Sequence, residues 1–143
     1  MSIDGTYDPE NIFAKIVRGD MPCVKVYEDE NTLAFMDVFP QSRGHMLVIH
    51  KHEQARNLLD VSAEALAQIM SSVQKLARAT NKSLSPNGII ITQFNGALAG
   101  QTVFHLHVHI IPKYESNLKA HASGGMADMD DLKALAAQIK AAL

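Results

Sequence analysis

Three things are scarce in this sequence: cysteine, long apolar runs and an excess of charge of either sign. Of its 143 residues only Cys23 is a cysteine, so neither an internal disulfide nor a paired-cysteine zinc site can form, and a reducing compartment is expected. No segment approaches the ~18 apolar residues of a membrane-spanning helix. The start MSIDGTYDPEN also lacks the apolar core of a signal peptide. These absences predict a cytoplasmic protein without a membrane partner.

The charged residues nearly balance, which restricts the substrate. Lysine and arginine total 13 and aspartate and glutamate total 15, a formal net charge of -2. This balance provides no basic face for a nucleic-acid polymer, so any anionic substrate is expected to be small and locally bound. With 47% hydrophobic residues, no repeat and no internal linker, residues 1–143 are expected to form a single domain.

The spacing of apolar residues predicts an α+β fold. Apolar residues recur every three to four positions in three segments, which predicts helices there: 11–17, 62–80 and 128–142. Short runs bounded by turn residues predict five strands: 24–28, 32–37, 45–50, 88–94 and 102–111. Strands that follow one another after short turns favour a mainly antiparallel five-stranded meander, with two main helices packed against it.

The last predicted strand contains FHLHVHIIPK, with three histidines two residues apart. Because side chains alternate along a strand, His105, His107 and His109 are expected on one face and the apolar residues on the other. A fourth histidine, His45, opens another predicted strand. Three interpretations compete at this point: a three-histidine zinc site, a catalytic face that handles phosphate, and a structural polar face.

The loop that leads into this strand favours phosphate chemistry. In GALAGQT the glycines allow close backbone approach to a ligand, and Gln101 and Thr102 offer hydrogen bonds to phosphate oxygens. With this loop and its three histidines, the stretch HLHVHII resembles the signature of the histidine triad (HIT) superfamily of nucleotide hydrolases and transferases. The segment NIFAKIVRGDMPCVKVYEDENTLAFMDVFPQSRGHMLVI is similar to the amino-terminal half of its Hint-like branch, so the resemblance covers a core of about residues 10–113.

The resemblance implies a mechanism for the histidines. In this family the middle histidine, here His107, attacks the α-phosphorus of a nucleotide derivative and forms a covalent nucleotidyl-histidine that water resolves. His109 would contact the phosphate and leaving group, and His105 and His45 would complete the hydrogen-bond network. The implied reaction needs no metal or other cofactor. The implied substrates are purine nucleoside phosphoramidates or related nucleotide conjugates. The alternatives are dinucleoside polyphosphate hydrolysis and a nucleotide-binding scaffold with little turnover.

The resemblance also implies where a nucleotide binds and how the protein assembles. Gln101 and Thr102 would hold phosphate oxygens, and Asp37 would accept both ribose hydroxyls. Relatives form homodimers that join two sheets into a ten-stranded one, so a homodimer is expected here. An apolar slot for the purine is expected from Ile12, Phe13, Ile16, Phe35 and Val38.

Some positions depart from the pattern of the family. Phe94 stands where many relatives have an asparagine, so Asn95 either replaces that contact with the nucleotide or leaves it unmade. Some bacterial relatives carry a Cys-x-x-Cys zinc pair where this chain has Asn11 and Ala14, so that structural zinc is not expected. The remaining histidines are interpreted as surface or loop residues: His50, His52 and His121.

Overall fold

The computed structural model of the chain describes residues 3–115 and 125–143, so His121 lies outside the described residues. In chain order the first elements are helix α1 (Ile12–Val17) and strands β1 (Lys25–Glu28), β2 (Thr32–Met36) and β3 (Met46–His50). They are followed by α2 (Ala63–Leu84), β4 (Gly88–Thr92), a short 3-10 turn (Ala97–Ala99), β5 (His107–Lys113) and α3 (Met129–Lys140).

The five strands form one antiparallel sheet in the order β1-β2-β3-β5-β4, which confirms the predicted α+β class. The first three strands follow one another as a meander, whereas β5 lies between β3 and β4. The β3–β5 register places Leu47 beside His109 and Ile49 beside His107. On the far side of β5, Thr92 pairs with His109. The two histidines therefore lie on an interior strand of the sheet.

The strand that carries the histidines begins later than the sequence predicts. It was expected from residue 102, but β5 starts at His107, and residues 103–105 form a bend. The reason is tertiary: the Leu106 amide donates to the carbonyl of Ala55, and the Arg56 guanidinium lies 4.7 Å from the Phe104 ring centre. His105 therefore precedes the regular alternation that orients His107 and His109.

Helices α2 and α3 cover one face of the sheet. Helix α2 begins at the N-cap Ser62, whose side chain accepts from the Ala65 amide. It was predicted to end at residue 80 but continues to Leu84, because Leu84 is itself buried in the core. Its apolar side packs with α3 and the strands in a single cluster. None of the helices in residues 3–115 and 125–143 is long and apolar enough to cross a membrane.

The opposite face of the sheet carries a smaller apolar cluster under α1. Helix α1 is capped by Asn11, whose side chain accepts from the Ala14 amide, and it buries Phe13 against this face. The Phe13 and Phe35 rings meet edge to face with centroids 5.4 Å apart. Buried members of the cluster are Phe13, Leu33, Phe35, Leu47 and Ile49. This apolar cluster lies directly beside the histidines of β5.

Candidate active site

A cavity of about 430 Å³ opens on this face of the sheet, between α1, the end of β2, and the starts of β3 and β5. It combines a wide apolar wall with two imidazoles and one carboxylate. The site residues that the sequence predicted and that line it are Ile12, Phe13, Ile16, Phe35, Asp37, Val38, Thr102, His107 and His109. The other predicted site residues lie outside its wall: His45, Asn95, Gln101 and His105.

His107 is held in one tautomer by the main chain. Its Nδ1 lies 2.7 Å from the carbonyl oxygen of His105, and because a carbonyl can only accept, Nδ1 carries the proton. In the neutral ring Nε2 is then left with a free lone pair. Burial lowers the pKa of His107 from its ordinary value, while the His105 carbonyl opposes that shift. At pH 7 the ring is thus a neutral imidazole with an available nucleophilic nitrogen.

His109 is held in the opposite tautomer through His45. The Gln41 amide donates to His45 Nδ1 at 2.9 Å, so the proton of a neutral His45 is on Nε2. His45 Nε2 donates to His109 Nδ1 at 2.9 Å, which leaves the proton of His109 on its own Nε2. Burial, reinforced by the neighbouring imidazoles, lowers the pKa of His45 to about 3 and that of His109 to about 4. The site therefore offers one imidazole acceptor, His107, and one imidazole donor, His109.

The same chain of hydrogen bonds bears on the metal interpretation. Ligand atoms of Asp37, His45 and His109 lie within 4.8 Å of one another, close enough to consider a metal ion. A metal on His45 Nε2 would require an unprotonated nitrogen there, yet Nδ1 already accepts the Gln41 amide proton. His45 would have to become an imidazolate. The donor chemistry of this group thus fits a hydrogen-bonded relay and does not fit a metal ion.

The three triad histidines do not converge on one point either. His105 Nδ1 meets the hydroxyl of Tyr7 at 2.8 Å, on the side of the bend away from the cavity. His105 Nε2 lies 3.3 Å from the carbonyl oxygen of His50, so both ring nitrogens of His105 are engaged. A three-histidine zinc site built from the triad is incompatible with these contacts.

Asp37 follows β2 and lines the cavity beside this relay. Its Oδ1 accepts from the Phe39 amide at 2.8 Å, and its Oδ2 lies 3.4 Å from His45 Nε2. The side chain is 18% exposed, and burial raises the pKa of its carboxyl from the ordinary value. The second oxygen is therefore positioned to accept from a ligand.

The glycine-containing loop is organised by Gln101, which is 2% exposed. Its Nε2 donates to the carbonyls of Arg56 and Val103 at 2.7 and 3.0 Å, and its Oε1 accepts from the Gly96 amide. Both amide protons are thus engaged, and no donor remains for a phosphate oxygen. Gln101 shapes the loop, and Thr102 is the member of the predicted pair on the cavity wall.

The two residues that precede this loop have different environments. Asn95 Oδ1 accepts from the Leu58 amide and from Gln93 Nε2, which ties the loop to a neighbouring turn. The Phe94 ring lies 5.3 Å from the His109 ring and also packs on Gly100. Phe94 therefore places an aromatic surface beside the donor histidine.

The interpretation of His50 as a surface or loop histidine is wrong. It is the last residue of β3 and is 7% exposed, with Nε2 2.7 Å from Gln68 Oε1. Its Nδ1 accepts from the amides of His52 and Glu53, so the ring fastens the turn after β3. His52 is exposed, as expected. Sequence reasoning also missed other residues that line the cavity, including Cys23, Met126 and Met129, because no local motif marks them.

Fold and site together define a histidine triad protein, and comparison with known proteins supports this class. The HIT domain model matches residues 18–116. Protein hit of Bacillus subtilis is 46% identical over 103 residues, 72% of this chain and 70% of that protein. The Schizosaccharomyces pombe protein named adenosine 5'-monophosphoramidase hnt1 is 46% identical over 102 residues, 71% of this chain and 73% of that protein.

A solved structure agrees with the sequence relatives. The crystal structure of a Hit-like protein from Bartonella henselae superposes with a TM-score of 0.88 at 45% identity, covering 96% of this chain and 100% of that one. The chain belongs to the HIT family.

Proposed function

We propose that this protein cleaves the bond between the α-phosphate of a purine nucleotide and its leaving group, through a nucleotidyl-His107 intermediate. One observation carries the proposal. The His105 carbonyl holds the proton of His107 on Nδ1, which leaves the Nε2 lone pair for attack on phosphorus. Phosphoramidates of purine nucleosides, or related nucleotide conjugates, are the proposed substrates.

The two cavity histidines have complementary roles in this reaction. His107 Nε2 forms a bond to the α-phosphorus while the bond from phosphorus to the leaving group breaks. His109, protonated on Nε2, contacts the phosphate and supplies a hydrogen bond or proton to the departing group. Water then attacks phosphorus and gives one proton to His109, which restores the proton that the leaving group took from Nε2. The bond from phosphorus to His107 breaks, and the nucleoside monophosphate is released.

The rest of the cavity fits the nucleoside. A base would lie in the apolar slot on which Phe13 and Phe35 already pack, and the Asp37 carboxylate would accept from the ribose hydroxyls. Thr102 would donate to a phosphate oxygen at the other end. A volume of about 430 Å³ lies within the usual range of small-molecule sites.

The name of the fission yeast relative, adenosine 5'-monophosphoramidase, favours a phosphoramidate over other conjugates. Dinucleoside polyphosphate hydrolysis is the second candidate reaction, and a nucleotide-binding scaffold with little turnover is the non-enzymatic alternative. The free Nε2 of His107 argues against the scaffold, because binding alone does not require a nucleophile.

The test is rapid quench with adenosine phosphoramidate labelled at the phosphorus. We expect wild-type protein to show a transient, acid-labile label on His107. His107→Asn should lower turnover by roughly 10³-fold or more while retaining nucleoside monophosphate binding. The matched control is His52→Asn, an exposed histidine outside the cavity, which should behave as wild type. Absence of any label in a single turnover, or turnover by His107→Asn near the wild-type rate, would refute the covalent route.

We also propose that the protein acts as a homodimer. Strand β4 is the last strand of the sheet, and its outer edge pairs with no strand among the described residues. On it Ile90 and Ile91 are 44% and 41% exposed. An exposed apolar edge strand favours pairing with another strand, which in a twofold dimer is the same strand of a second copy.

A further inference from the structure

The segment before α1 crosses behind the triad and is anchored at several points. Asn57, which is 2% exposed, donates from Nδ2 to the carbonyl of Ile3 at 2.8 Å. Further along, Tyr7 reaches His105, with its hydroxyl oxygen 2.8 Å from Nδ1 and the two ring centres 5.8 Å apart. The segment therefore places the Tyr7 hydroxyl within hydrogen-bonding distance of His105, the first histidine of the triad.

The direction of this hydrogen bond follows from the other side of the ring. His105 Nε2 lies 3.3 Å from the carbonyl oxygen of His50, which can only accept, so Nε2 carries the proton. Burial lowers the pKa of His105 to about 4, so the ring is neutral at pH 7 and Nδ1 must accept. Burial also raises the pKa of Tyr7, so its hydroxyl keeps its proton and donates.

His105 is connected to the nucleophile through its own main chain. Its carbonyl oxygen accepts from His107 Nδ1 at 2.7 Å, the contact that frees His107 Nε2. His105 lies in the bend before β5, and the β3–β5 pairing begins only at His107. The peptide unit that contains this carbonyl is held on one side by the Leu106 amide, which donates to the carbonyl of Ala55. On the other side it is held through the His105 ring, which contacts the hydroxyl of Tyr7 and the carbonyl of His50.

We propose that Tyr7 is a positioning residue for the reaction: its hydroxyl fixes the ring of His105, and the His105 carbonyl then holds His107 for attack. This role rests on the proposed nucleotidyl transfer. Tyr7 is not among the residues that line the cavity. Its effect is expected on the chemical step and not on nucleotide affinity.

The test removes only the hydroxyl. Tyr7→Phe should lower kcat by roughly 3- to 10-fold, the range that one neutral hydrogen bond supports, and should leave the Kd for adenosine monophosphate unchanged. Tyr27→Phe is the matched control, because its hydroxyl bonds to Asp29 and Lys75 at the surface, away from the cavity. That control should retain the wild-type kcat.

A spectroscopic measurement separates positioning from simple anchoring. In long-range proton–nitrogen NMR spectra of the imidazoles, wild-type His105 should be protonated on Nε2 with a hydrogen-bonded Nδ1. In Tyr7→Phe the Nδ1 signal should move to the position of a free acceptor, and the His107 signals should shift with it. Tyr27→Phe should leave both rings unchanged. This readout does not require turnover, so it decides on the contact even if the proposed substrate is not cleaved.

A double mutant shows whether Tyr7 acts through His105. In a His105→Asn background, Tyr7→Phe should cause no further loss of kcat, because the partner of the hydroxyl is already gone. Three results would overturn the proposal: imidazole spectra of Tyr7→Phe identical to wild type, an unchanged kcat in that variant, or fully multiplicative losses in the double mutant.

Discussion

At the scale of the residue, the protonation of the site is set by main-chain groups that do not titrate. The Gln41 amide fixes His45 and, through it, His109, whereas the His105 carbonyl fixes His107. Two histidines two residues apart in the same strand thereby become an acceptor and a donor. Burial keeps both rings neutral at pH 7, since it lowers their pKa values.

The burial of the site histidines predicts how activity depends on pH. Because attack needs a neutral imidazole, an unperturbed histidine would give a decline in kcat/KM below a pKa near 6.5, the ordinary value. Because burial lowers the pKa of His107, and that of His109 to about 4, the decline should begin clearly below pH 6.5. The measurement is a pH–rate profile of kcat/KM from pH 4.5 to 8.5. An acidic limb centred at 6.5 or higher would contradict the assigned environment.

The free energy of unfolding should depend on pH through the same buried histidines. A histidine whose pKa is lowered by folding contributes stability that is complete above the unfolded value of about 6.5 and is lost as pH falls toward the folded value. For His105 and His109 the folded value is about 4, so the loss spans that interval. Circular dichroism at each pH of the profile therefore separates loss of the nucleophile from loss of the fold.

A second prediction concerns the ribose contact. Asp37→Asn keeps the shape of the side chain but removes its charge, so it should weaken nucleoside monophosphate binding by about 1.5–3 kcal/mol, the range for hydrogen bonds to charged groups. Calorimetry with adenosine monophosphate measures this loss. Asp130→Asn, the same change at an exposed position, should bind as wild type. Equal affinity of Asp37→Asn and wild type would show that Asp37 does not hold the ribose.

How far individual residues could be predicted depended on whether their partners are local. Alternation along β5 was enough to place His107 and His109 together, and the resemblance to the HIT family implied that Ile12, Phe13 and Ile16 line the cavity. Gln101 and His50 could not be placed this way. The first is engaged by the carbonyl of Arg56 and the second by Gln68, and neither partner is marked by a pattern near them in sequence.

At the scale of the element, most strands lie within two residues of their predicted bounds, and the exception is informative. Strand β5 starts five residues late because the preceding segment bonds to the loop around Ala55 and Arg56 instead of to a strand. Apolar alternation continues through Phe104, so the sequence carries no local signal of this bend. Its effect is to turn the His105 carbonyl toward His107.

The turn before β3 makes a prediction at this scale. Gly44, with φ +94°, precedes His45, and a Cβ at this position would lie 2.5 Å from Cδ1 of the buried Leu84. Gly44→Ala should therefore lower the free energy of unfolding by about 1–3 kcal/mol more than Gly19→Ala does. Gly19 has a similar φ of +86° but meets no atom within 4 Å, so it reports the backbone cost alone. Urea unfolding of both variants gives the difference, and equal losses would contradict the crowding.

At the scale of the whole molecule, the prediction is the homodimer proposed from β4. Light scattering at micromolar concentration should give twice the 15.6 kDa of the chain. Ile91→Glu places a charge on the exposed edge strand and should shift the mass toward the monomer, whereas Leu59→Glu, at another exposed apolar position, should not. A wild-type mass near that of one chain would refute the dimer.

Because main-chain groups control the protonation of the imidazoles, the acid–base pattern of the site and the shape of its cavity can change independently of each other, in evolution or by engineering. An amide or carbonyl of the backbone survives almost any substitution at its own position, so the acid–base pattern of the site tolerates extensive divergence of the surrounding sequence. The walls of the cavity are made of side chains such as Ile12, Phe13 and Val38, which substitution alters directly. Substrate range can therefore drift, or be redesigned, while the reactive machinery is inherited unchanged.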